Sequence, residues 1–201
     1  MSFEKIERDY RSLLHPEELR STLLYVSLYV LGYESFRAGV VDHVHMLYLR
    51  GFDERGWHFD EEKYEREILS RKRSAFWSSI DWFREMGALD DTDVASIHQL
   101  ASTRNKLVHD LSKLIGTKDL DPNLQSFAEL IRVYRKVETW RIRFVELPGD
   151  EDWDGREISD DDIVPGPILM MRMLADVALG NDEEAWAYYK YLEAQRPAEP
   201  S

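Results

Sequence analysis

Three polar side chains on one short stretch have the types needed for proton transfer and phosphate binding. The stretch is 100–114, LASTRNKLVHDLSKL, which sets Arg104, Asn105 and His109 among apolar residues. An imidazole moves protons near neutral pH because its ordinary pKa is about 6.5. A guanidinium stays charged and grips phosphate oxygens with paired donors, which stabilises charge that builds in a transition state. An amide orients either the imidazole or a ribose hydroxyl. Together these groups suit cleavage of a phosphodiester by the neighbouring 2′-hydroxyl, a nucleophile that DNA lacks. Such a reaction calls for no metal and no cofactor.

Spacing decides whether the groups can meet. Leu100, Leu107, Leu111 and Leu114 follow the helical repeat and predict one buried stripe. Asn105 and His109 are four apart, so a helix stacks them on one face. Arg104 is offset from Asn105 by about a quarter turn, and its long side chain can swing back toward His109.

The run Arg104-Asn105-Lys106-Leu107-Val108-His109 resembles the signature of the HEPN superfamily, small all-helical domains found in bacterial toxins and antiphage ribonucleases. That signature is an Arg, a polar residue directly after it, and a His four to six residues beyond. The resemblance implies metal-independent RNA cleavage in a cleft between two protomers, hence a homodimer. By matched position Arg104 and His109 would be catalytic and Asn105 would position them. An antitoxin or other regulatory protein is a further implied partner. Arg and His at similar separation also occur at Arg8–His15 and Arg37–His43. The Asn after Arg104, the Leu-Val before His109 and the amphipathic helix set the third apart. In one subset of the family a Tyr two residues after the His accepts an adenylyl group from a nucleotidyltransferase antitoxin. Here that position is Leu111, so modification at that site is not available.

The elements that must position these groups read as helices throughout. The fold class is all-α: a helical bundle with a long central helix and an antiparallel helical hairpin carrying the motif. Residues 1–146 form the bundle, 147–164 an acidic loop, and 165–195 a C-terminal helical hairpin packed on the bundle or on a partner chain. A short helix is expected over 3–14 and ends at His15-Pro16. The long helix runs roughly 17–50, apolar on most sides through Leu31, with Gly32 and Gly39 suited to close packing. Glu34 on it is a possible site carboxylate, or pairs with Arg37 one turn on. Gly51–Phe59 reads as a loop. Asp60 caps a helix that continues through Lys72, and Arg71-Lys72-Arg73 either contacts phosphates or complements the helix dipole. The stretch 74–86 continues helically and buries Phe76, Trp77, Ile80, Trp82 and Phe83. Asp90, Asp91 and Thr92 offer caps for the motif helix, about 93–115.

Asp121-Pro122 opens the next helix, which reaches about Glu146. Its buried side is Phe127, Leu130, Ile131, Tyr134, Val137 and Phe144. Arg132, Lys136 and Arg143 form a basic stripe, either a set of RNA-backbone contacts or partners for the acidic segment that follows. Two terminal helices, about 166–179 and 182–194, carry more apolar surface than a pair can bury alone, so they should pack onto the core. Arg196–Ser201 reads as a loose tail.

Composition narrows the function classes. The chain has 201 residues and no cysteine, so thiolate metal sites and disulfides are excluded. Asp42, His43 and His45 invite a metal site, but on a helix the two imidazoles diverge by roughly 200°. The charged N-terminus lacks a secretory signal's apolar centre, and the longest apolar run, Leu23–Tyr33, is too short to span a bilayer. A soluble, cytoplasmic protein without membrane contact is expected. Net charge is −13, which opposes broad attraction to nucleic acid. That charge favours the alternative function, a noncatalytic helical module that binds a protein or a nucleotide.

Overall fold

The structure is a computed structural model, and it describes residues 14–109, 124–149 and 157–195. The expected helix over 3–14, the end of the motif helix past His109, the Asp121-Pro122 cap, the most acidic part of the 147–164 loop and the tail fall outside those residues, save for Leu14. The described chain is mostly helical, with 77% helix and 6% strand.

Helix α1, Pro16–Met46, is central, and four other helices pack on it. His15 caps its start: the ring Nδ1 accepts a hydrogen bond from the Glu18 backbone N–H at 3.4 Å. Pro16 sits in the first turn, where its missing N–H costs nothing. Thirty-one residues make a rod of about 46 Å. Tyr29, Tyr33, Phe36, Val40 and Val44 recur at helical spacing and are buried. Burial is narrower than the sequence suggests, because Leu23, Leu24 and Leu31 remain well exposed. The helix ends before residue 50 because the chain turns at Leu47 and Tyr48 into a strand.

That strand corrects the loop reading of Gly51–Phe59. Strands β1, Leu49–Asp53, and β2, Gly56–Phe59, form an antiparallel hairpin. Gly56 has φ of 110°, a conformation that favours glycine, and the Arg55 N–H bonds to Asp53 Oδ1 at 2.7 Å. Phe52 and Trp57 pair across it, both exposed. Helix α2 runs through Glu61–Tyr64 and a wider five-residue π stretch, Glu65–Leu69, and stops there rather than at Lys72. Ser74 starts a separate helix α3, Ala75–Glu85, by accepting from the Trp77 N–H at 3.4 Å. Phe76, Ile80 and Phe83 are buried, as expected.

Helix α4, Asp91–His109, follows Gly87, whose φ of 77° ends the preceding turn. Asp90 and Asp93 cap α4 reciprocally: each carboxylate accepts the other's backbone N–H, at 2.9 and 3.0 Å. Helix α5, Leu124–Arg141, continues through a π stretch, Ile142–Glu146, and a tight turn, Leu147–Gly149. It runs antiparallel to α4, because Ser96 meets Glu129 while the earlier Asp93 meets the later Arg132 and Lys136. Leu130, Val133, Tyr134 and Val137 are buried, but Phe144 is 60% exposed. The π stretch adds a residue to the turn and rotates Phe144 off the face that Val137 shares with the core.

Gly32 and Gly39 lie where α1 meets its neighbours. A Cβ at Gly32 would stand 3.2 Å from Leu130 Cδ2, and one at Gly39 would stand 3.1 Å from the Tyr134 hydroxyl. Both glycines therefore serve close packing within the chain. Helix α6, Gly166–Leu179, docks on α1 and α5 through Ile168 and Met171. Helix α7, Asp182–Gln195, packs along α6 and buries no residue, so the hairpin meets the bundle through α6. No helix among the described residues is long and apolar enough to cross a membrane.

Candidate functional site

Two helices bring Arg104 and Glu34 together. The Tyr29 hydroxyl on α1 donates to the Leu100 carbonyl of α4 at 3.0 Å, and Leu100 and Leu107 bury the α4 stripe. One turn past each anchor, Glu34 meets Arg104. Arg104 Nε donates to Glu34 Oε1 at 2.7 Å, and its Nη2 lies 2.5 Å from the same oxygen. The other carboxylate oxygen, Oε2, accepts from Arg37 Nη1 at 3.3 Å. Glu34 thus bridges two guanidiniums, the partner expected one turn on and a second from α4. The third guanidinium nitrogen of Arg104, Nη1, donates to Asn105 Oδ1 at 3.2 Å.

The cluster stands at the surface. Side-chain exposure is 27% for Arg104, 36% for Glu34 and 55% for Arg37. Asn105, Lys106 and His109 are exposed. Two guanidiniums and one carboxylate leave a local positive charge on a strongly acidic chain. Beneath them burial pushes the Tyr33 hydroxyl above the ordinary phenol value, while Arg37 and Arg104 pull it back.

His109 is five residues beyond Arg104, about 140° around the helix. Arg104 is turned toward α1, so the two groups face different directions within one chain. Asn105 lies between, about 40° from His109. The arrangement offers two guanidiniums, Arg37 and Arg104, beside an exposed amide, with the imidazole on a different side of α4. Sequence reasoning paired Arg37 with Glu34 but missed that Glu34 brings it beside Arg104. The available signal was the i, i+3 pair with Glu34.

The other candidate residues are engaged elsewhere. Arg132 donates to Glu129 at 2.9 and 2.8 Å and meets Asp93 at 2.9 Å. Lys136 binds Asp90 at 3.1 Å and also Asp93. Arg143 donates to Asp160 Oδ1 at 2.8 Å and to the Ile158 carbonyl at 2.7 Å. Hydrogen bonds from Arg132 hold the Glu129 carboxyl down at about 2, and the Asp93 N–H and Lys136 do the same for Asp90. The stripe therefore pairs with carboxylates, including the acidic segment that follows it. Arg71 bonds the Glu67 carbonyl at the end of α2 at 2.7 Å, which complements that helix end, and it pairs with Glu85.

His43 and His45 diverge as expected. His43 Nε2 meets Glu138 Oε1 at 2.6 Å, whereas His45 meets Glu61 at 3.2 Å and stacks on Phe59. Among the described residues no three His, Asp or Glu side chains are grouped to hold a metal ion. Glu138 is wholly buried between His43 and Arg141, a charge that the helical pattern did not reveal. No protein-family model, curated protein or solved structure matches this chain.

Proposed function

We propose that the protein is a metal-independent endoribonuclease of HEPN type, a toxin or defence effector that works as a homodimer in the cytoplasm. Arg104 and Arg37 grip the scissile phosphate, with Glu34 holding both guanidiniums in place. His109 takes the proton from the ribose 2′-hydroxyl, which attacks the adjacent phosphorus. The 5′-oxygen leaves with a proton from the second protomer's imidazole, and the other product ends in a 2′,3′-cyclic phosphate. The observation that carries this reading is the half-exposed Arg104 beside a second arginine and the exposed Asn105, with His109 exposed further round the same helix. The 140° between Arg104 and His109 is why a second copy is needed: one chain presents only half of the convergent pair. In this reading the bundle is the frame of that cleft, and the α4–α5 hairpin carries its chemistry.

The test is cleavage of a mixed-sequence RNA by the purified chain in EDTA. Arg104→Ala should lower the rate by about 10²–10³, the size of losing one charge-stabilising donor. His109→Ala should lower it by about 10²–10⁴. Both side chains are at the surface, so both variants should melt close to the wild type. Unchanged cleavage by both variants would remove the assignment.

One observation favours a second reading, a noncatalytic module that binds a protein or a nucleotide. Arg104 spends two of its three nitrogens on Glu34. If that pair is a lasting structural tie, wild-type protein leaves RNA intact in EDTA and sediments as a monomer.

A further inference from the structure

A groove of about 420 Å³ lies along α5, at the opposite end of α4 from Arg104. Asp93, which pairs with the groove's Arg132 and Lys136, is eleven residues from Arg104, about 16 Å along the helix. The volume falls in the range of small-molecule sites. Its walls include the 87–88 turn, one face of α5 and residues 160–161.

The cations in it divide into two kinds. Arg132 and Lys136 are matched by Asp93, which is 2% exposed, and by Glu129 and Asp90. These pairs fasten α5 to the start of α4. Arg135 and Arg143 are met only from the 157–162 segment among the described residues. Arg143 holds the Asp160 carboxylate with Nε and Nη2, and Arg135 reaches the Asp160 carbonyl at 3.4 Å and Asp161 at 3.5 Å. Asp160 is 72% exposed and Asp161 is 96% exposed. Water screens such pairs, so they open at little cost.

The floor of the groove is aromatic. Trp140 and Phe144 lie 5.3 Å apart, ring to ring, with Phe144 open to solvent. Thr139 is buried in the same wall, and its hydroxyl meets no hydrogen-bond partner. A carboxylate held by a guanidinium fork beside one exposed ring and one half-buried ring is the arrangement that a phosphate with an attached flat base can replace.

We propose that this groove binds a nucleoside monophosphate, whose phosphate takes the place of the Asp160 carboxylate against Arg143 and Arg135 while its base lies on Phe144 and Trp140. A polynucleotide fits less well. The net charge of −13 and the adjoining Asp160, Asp161 and Asp162 repel a second and third phosphate. The site is separate from the Arg104 cluster and does not rest on the ribonuclease reading.

The test is calorimetric titration of the full chain with adenosine 5′-monophosphate, adenosine, inorganic phosphate and a short 2′-O-methyl oligonucleotide. The monophosphate should bind saturably, and at least about tenfold more tightly than adenosine or phosphate alone. Arg143→Gln should weaken it about tenfold, the cost of a charge-assisted pair. Asp160→Asn should tighten it several-fold by removing the internal competitor, a gain that misfolding cannot produce. Absence of binding to both wild type and Asp160→Asn overturns the proposal. So does inorganic phosphate binding as tightly as the nucleotide, or the oligonucleotide binding more tightly than the monophosphate.

Discussion

Two glutamates on facing helices make the same connections in opposite surroundings. Glu34 bridges Arg37 and Arg104 at the surface, and Glu138 bridges His43 and Arg141 in the core. Each binds one partner on its own helix at i+3 and one on another helix. Glu34 keeps 36% of its side chain in water, whereas Glu138 keeps none. The difference decides what each cluster is good for. A carboxylate in water releases a guanidinium cheaply, and the proposed function needs the Glu34 cluster to exchange that internal anion for a phosphate. A carboxylate without water cannot let go, because neither it nor the groups it leaves behind regain solvation in exchange for the lost partner. The contrast between the two clusters follows from exposure, not from residue type.

Removing the buried bridge should have the largest effect. Glu138→Ala takes the buried acceptor from His43 and leaves Arg141 only its surface partner Glu146, and should cost about 3–5 kcal/mol in chemical denaturation. A loss below about 1 kcal/mol would show that the two glutamates are equivalent after all. Acid sharpens the same contrast. Burial pushes the Glu138 carboxyl up, but His43 and Arg141 outweigh it and hold the group below the ordinary glutamate value. A depressed carboxyl stabilises the fold above its unfolded pKa, about 4.3, and loses that contribution as pH falls through the folded value. The gap in stability between wild type and Glu138→Gln should therefore be full at neutral pH and shrink below about pH 4.3. A gap that stays constant into acid would contradict the charge assignment.

The surface bridge should matter least to stability and more to activity. Glu34→Gln keeps an oxygen acceptor but removes the charge, and should change stability by about 0–1 kcal/mol. RNA cleavage by this variant should fall, though by less than in Arg104→Ala, because the guanidiniums remain but are held less firmly. A large stability loss with unchanged cleavage would make Glu34 the structural member of the two.

The sequence made some of this legible. Helical spacing gave α1, α6 and α7, the start of α4 and the end of α5 to within a few residues, because long apolar repeats dominate short-range preference. The i, i+3 rule found Glu34 with Arg37, and the divergence of His43 from His45 followed from helix geometry alone. The hairpin at 49–59 escaped because its two apolar cross-strand pairs, Leu49 with Phe59 and Phe52 with Trp57, are separated by a register shift at 49–51 and stand amid glycine and charged residues. Phe144 was misplaced because one π stretch shifts the phase of everything after it. Glu138 escaped because its burial depends on a histidine ninety-five residues earlier, which no local pattern encodes. The same limit hid Arg104's partner: Glu34 and Arg104 were each visible, but the seventy residues between them are closed by tertiary packing.

The most direct measurement compares an RNA with the same strand carrying 2′-deoxyribose at the sites of cleavage, both incubated with wild-type protein in EDTA and analysed for end groups by mass spectrometry. The account predicts that the ribose strand yields 2′,3′-cyclic phosphate ends and that the substituted strand stays whole at those sites. Cleavage of both strands, or products lacking a cyclic phosphate or its opened form, would contradict attack by the ribose hydroxyl and with it the role given to Arg104 and His109.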